Sequence, residues 1–109
     1  MTLKEMRREC ALWQDKLGLQ QWKIELRHPH KGEMPEEWAA CVSWSAEYAS
    51  ARILIHRKHM TLHAMVHELL HVCLEGYNER PRTYTPQYEL ALNKLTEALL
   101  DEPEPDLGA

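Results

Sequence analysis

The chain has 109 residues, 44% of them hydrophobic and 28% charged, with a net charge of −4 at pH 7. That length holds one domain with a modest core, and the interspersed charges leave no basic stripe of the kind that binds nucleic acid. The sequence shows no apolar run long enough to span a bilayer and no leader-like segment, and its three cysteines, odd in number and far apart, suit reduced thiols in a cytoplasmic protein better than a disulfide framework.

Thr2 and Glu5 have the spacing of a capping box and open a first helix. Leu3, Met6, Cys10, Trp13 and Leu17 then recur at three- and four-residue steps, giving one apolar face that Gly18 ends. Trp22, Ile24 and Leu26 alternate with Lys23, Glu25 and Arg27, the pattern of a half-buried strand. A loop follows. Residues 40–48 alternate again, with Ala40, Val42, Trp44, Ala46 and Tyr48 on one parity, and a short turn leads to a third strand over 51–57. So tight a connection predicts an antiparallel hairpin. A helix is expected from Met60 or Thr61 to Glu75, with Gly76 as its stop. It is apolar on most sides, which marks it as buried. Thr85 as N-cap and Pro86 in the first position start a last helix, whose core face reads Tyr88, Leu92, Leu95 and Leu99. The fold class predicted is α+β: an N-terminal helix, a three-stranded and mainly antiparallel sheet, a buried central helix and a C-terminal helix. Residues 1–100 form the domain, and 101–109 read as an acidic, disordered tail.

The central helix carries His67-Glu68-Leu69-Leu70-His71, an H-E-x-x-H sequence. Residues four apart on a helix share a face, so two imidazoles so placed can close on one Zn²⁺ while the glutamate between them faces solvent at the ion. This composition yields the motif by chance about once in twenty such chains, so its weight comes from the helix around it. Burying His67, Glu68 and His71 with that helix is costly unless they are paired or ligated.

A catalytic zinc takes three protein ligands, and no histidine follows His71. The carboxylates between His71 and Asp101 are Glu75, Glu79, Glu89 and Glu97. Glu75 shares the helix of His71 and cannot swing back to a common ion. Glu89 stands in the first turn of the next helix, a more rigid position than loop residue Glu79. It is the expected third ligand, with Glu97 and Glu79 as alternatives. Asn93, one turn beyond Glu89, is placed to accept the outer ring N–H of His67. His63 continues the histidine row, but eight residues of helix rise about 12 Å, too far for one ion, so it is assigned to the rim.

These features resemble the gluzincin class of zinc metallopeptidases, and its smallest members, the minigluzincins, as well as small phage and prophage metallopeptidases. The similarity covers residues 1–100 by order of elements. It implies a zincin-like fold, one catalytic Zn²⁺ held by His67, His71 and Glu89, and Glu68 as general base. Two departures stand out: Gln87-Tyr88-Glu89-Leu90-Ala91-Leu92-Asn93 replaces the glutamate signature of larger gluzincins, which have an acid where Asn93 stands, and their C-terminal subdomain has no counterpart here. The function implied is that of a zinc-dependent endopeptidase hydrolysing a peptide or protein substrate. An oxyanion formed in that reaction needs a donor, for which Tyr84 is the candidate ahead of Tyr77 and Tyr88. In zincins an edge strand receives the extended substrate, which assigns that role to 40–48 and puts Trp44 near the cleft. The alternative is a catalytically silent zinc-binding interaction module or phage accessory protein.

Overall fold

The computed structural model describes residues 1–77 and 85–100. Residues 78–84, which include Glu79 and Tyr84, and the expected tail 101–109 lie outside the described residues. In chain order the elements are α1 (Leu3–Lys16), β1 (Lys23–Arg27), β2 (Ala40–Ser45), β3 (Ser50–Ile55), a 3-10 turn (Arg57–His59), α2 (Leu62–Glu75) and α3 (Pro86–Leu100).

Local chemistry sets these boundaries. The capping box at α1 forms: Glu5 N donates to Thr2 Oγ1 at 3.1 Å, and Thr2 N donates to Glu5 Oε1 at 3.0 Å, so two otherwise orphaned donors are satisfied. Gly18, at φ +74°, then turns the chain toward β1. Ala49, at φ +46°, closes the turn between β2 and β3, so β2 ends at Ser45, before the 48 expected from alternation. Arg57, assigned to the third strand on sequence, begins the 3-10 turn instead.

The strand order is β1-β3-β2. β2 and β3 form the expected antiparallel hairpin, but β1 pairs with β3 in parallel, so the sheet is mixed. The reason lies in the segment 28–39. It carries the chain past one strand position to the far edge, leaving a gap of about 10 Å between β1 and β2. β3, returning from the hairpin turn, fills that gap and so runs in the direction of β1. Ile53 sits at the centre of the sheet, fully buried, opposite Leu26 on one side and Val42 on the other.

Helices pack on the face that carries these residues. Met6, Cys10 and Trp13 of α1, Ile53 and Ile55 of β3, Met65, Val66, Leu69 and Val72 of α2, and Leu92 of α3 join in one cluster. Each large aliphatic side chain so buried contributes about 1.5–3 kcal/mol. On the opposite face Arg27 pairs with Glu25 at 2.8 Å and with Glu33 at 2.7 Å. Exposed pairs of this kind contribute at most about 1 kcal/mol each, but they pin the 28–39 segment, as does His28 Nδ1, 2.9 Å from the Ile55 carbonyl oxygen. No described helix is long and apolar enough to cross a membrane.

One expectation changes in the helices. Leu95 is 41% exposed, and Thr96 takes its place in the core at 0%. The Thr96 hydroxyl donates to the Leu92 carbonyl at 2.7 Å, which satisfies its polar atom within the helix. Gly76 does end α2, but in a right-handed conformation, φ −57° and ψ −24°. Its lack of a side chain serves close approach: a Cβ there would meet the Val72 carbonyl oxygen and come within 2.8 Å of the Trp22 ring. Gly18 is the opposite case, with a positive φ and open space around it. Gly18→Ala is therefore expected to lose about 1–2 kcal/mol from backbone strain alone. Gly76→Ala should cost about 1–3 kcal/mol by overpacking and should perturb the Trp22 fluorescence, which Gly18→Ala leaves alone. Urea unfolding with emission spectra checks both; a Trp22 signal unchanged in Gly76→Ala would show that the ring yields freely.

Candidate metal centre

α2 begins at Thr61, whose hydroxyl oxygen accepts from Ala64 N at 3.1 Å. From that start, His63, His67 and His71 fall on one face. The rings of His67 and His71 lie 5.1 Å apart at 73°, and those of His63 and His67 lie 6.3 Å apart at 21°. α3 is capped in the same way: Tyr88 N donates to Thr85 Oγ1 at 3.1 Å, and Glu89 follows in the first turn.

Glu89 reaches across to α2. Its Oε2 is 2.9 Å from His67 Nε2 and its Oε1 is 3.2 Å from His71 Nε2, so one carboxylate spans both imidazoles. Ligand atoms around a tetrahedral ion with bonds of 2.0–2.1 Å are separated by about 3.3 Å, and the two imidazole–carboxylate distances stand within a few tenths of that. Ligand atoms of His67, Glu68 and His71 also lie within 4.8 Å of one another, a cluster that could hold a metal ion. The donor set is two nitrogens and carboxylate oxygen, a combination that suits zinc and several other divalent cations.

Burial shapes the charges here. Glu68 is 6% exposed; burial, with the negative charge of Glu89, pushes its carboxyl up to about 8. His71 is 4% exposed, and burial draws its pKa below the usual histidine range, against the pull of Glu89 and of Glu75. Glu75 is the residue that sequence reasoning passed over. Set aside as a ligand because it shares a helix with His71, it is nonetheless buried one turn beyond it, at 6% exposure. Its charge acts on the His71 ring, favouring the protonated imidazole. The available signal was an acid four residues after a histidine on a helix with little polar surface.

The other predicted residues divide. Glu97 is exposed and lies 3.9 Å from Lys94, apart from the imidazoles. Tyr77 is 73% exposed and its ring meets Trp22, whereas the Tyr88 ring lies 6.0 Å from that of His71. Asn93 lines the same cavity as the histidines but makes no hydrogen bond to His67: His67 Nε2 faces Glu89, and its Nδ1 is buried with no hydrogen-bond partner among the described residues. Tyr84 lies outside the described residues.

The site opens into a cavity of about 990 Å³ between β2 and α2, with Val42, Trp38 and Trp44 on one wall and His63, His67 and Glu68 on the other. β2 is an outer strand of the sheet. The Ala39 carbonyl accepts from His56 N on the β3 side at 3.0 Å. Antiparallel alternation then turns the backbone N–H and C=O of Ala40 and Val42 away from β3, and both residues line the cavity.

Glu75→Gln is expected to weaken Zn²⁺ affinity about tenfold, and His67→Ala to abolish tight binding, while Glu97→Ala leaves the affinity of the parent. Chelator competition measures each; parent-like affinity in Glu75→Gln would deny Glu75 any influence on His71 as a ligand. No protein family, curated protein or solved structure matches this chain.

Proposed function

We propose that the protein is a zinc-dependent endopeptidase of the gluzincin type on a minimal zincin-like scaffold. The observation that carries this reading is the convergence of His67 Nε2 and His71 Nε2 on the two oxygens of Glu89, at 2.9 and 3.2 Å, with buried Glu68 beside them at the wall of an open cavity. His67, His71 and Glu89 would hold one Zn²⁺, which supplies Lewis acidity toward a substrate carbonyl and acidifies the attacking water.

Glu68 moves the proton in its ionised form, which the charge of a bound cation would favour over the neutral acid that burial prefers. It takes one from water as the water oxygen bonds to the peptide carbonyl carbon, and delivers it to the amide nitrogen as the C–N bond breaks, releasing a carboxylate and an amine. Ala40 and Val42 offer backbone donors and acceptors along the cavity, which suits an extended peptide added beside β2. Trp44, expected near the cleft, lines the same cavity. The three free cysteines, Cys10, Cys41 and Cys73, favour a reducing compartment.

Glu68→Gln keeps the ligands and removes the proton carrier. It should bind Zn²⁺ as the parent does and lose about 10²–10⁴ in kcat. Metal content and digestion of a quenched peptide library, run on both proteins, test this. Parent-like turnover in Glu68→Gln would refute the mechanism, and a zinc-loaded parent that cleaves no peptide would leave a silent metal-binding module in its place.

A further inference from the structure

The chain is acidic overall, yet one end of the cavity is not. The 3-10 turn that leads into α2 is Arg57-Lys58-His59, three basic residues in succession, all exposed. His59 and, one turn into α2, His63 line the cavity itself. Neither Arg57 nor Lys58 forms an ion pair among the described residues, whereas Arg27, Arg52 and Lys94 all do. His56, just before the turn, contacts the 35–39 segment: its Nε2 is 3.4 Å from the Pro35 carbonyl oxygen, and its N donates to the Ala39 carbonyl at 3.0 Å. Glu36 and Glu37 follow Pro35, exposed and likewise without an ion pair among the described residues. Arg57 and Lys58 thus immediately precede the cavity-lining His59, as Glu36 and Glu37 immediately precede the cavity-lining Trp38 on the opposite wall.

We infer that this end of the cavity is a subsite for an acidic side chain, so that the substrates are extended peptides carrying Asp or Glu to one side of the scissile bond. The inference rests on the peptidase reading above and specifies its substrate class. His59 and His63 donate ring N–H groups to the carboxylate, and Arg57 and Lys58 raise its local concentration. Each exposed charge within about a Debye length adds only a few-fold in affinity, and added salt removes it. The β2 wall, formed by Val42, Trp38 and Trp44, is preceded by the acids Glu36 and Glu37, so a preference for an acidic side chain is localised to the α2 entrance.

The test uses the zinc-loaded full chain and its Glu68→Gln form, with two matched sets of fluorescent decapeptides whose variable position is Glu or Lys. Glu68→Gln should bind the Glu set about tenfold more tightly than the Lys set at low salt, and the difference should shrink at 0.5 M NaCl. In Glu68→Gln carrying R57E and K58E as well, the ratio should invert. The parent should cleave the Glu set faster in the same proportion. Equal binding of the two sets, or a ratio unchanged by the charge reversal, overturns the inference. Preferential binding of the Glu set by a parent that cleaves neither set upholds the subsite and refutes the peptidase reading, so the two failures are told apart.

Discussion

One carboxylate holds the two halves of the site together. Glu89 is the point at which α3 meets the histidine face of α2, and each of its oxygens engages a different imidazole. Taking three such groups out of water is costly unless each finds a partner. The arrangement supplies those partners within the set itself, and does so again if a divalent cation takes the shared position. Everything that places Glu89 therefore bears on the site: the Thr85 cap that starts α3, and the burial of Leu92 and Thr96 that sets its rotation.

That dependence explains why the site tolerates so small a scaffold. α2 is buried along most of its length, so His67 and His71 are oriented by a helix fixed from several sides at once. β3 backs it with Ile53 and Ile55, and α1 closes the core with Met6, Cys10 and Trp13. The cavity is left where β2, the outer strand, diverges from α2, and the catalytic reading needs no element beyond these.

Much of this was legible in sequence because it is written locally. The capping box at Thr2, the hairpin of 40–55 and the Thr85-Pro86 start of α3 each depend on a few adjacent residues. Glu89 could be selected because a helical position is more rigid than a loop. What was not legible depends on distant partners. Alternation in β1 gives its buried face but not the direction of the strand it joins, so the parallel pairing with β3 went unforeseen. Thr96 was passed over for Leu95 because a hydroxyl that satisfies itself on the preceding turn looks, in a sequence, like any other polar group. Gly76 was legible as the stop of α2, but what requires a glycine there is the ring of Trp22, more than fifty residues away in the chain. Asn93 was placed on the correct side of α3, yet the ring orientation of His67, which decides its partner, is set by Glu89.

The position of β2 has a further consequence. Its outward-facing backbone borders a recess between the strand and α2, with Trp38 at the mouth, held on a segment pinned through Arg27, Glu33 and His28. A folded domain presents its strands already embedded in a sheet, and a slab of that breadth cannot descend into a slot walled on both sides. A single unpaired stretch of chain can. On the peptidase reading proposed above, this architecture would discriminate by conformation before it discriminates by sequence, admitting unfolded segments, termini and loose loops while sparing intact neighbours.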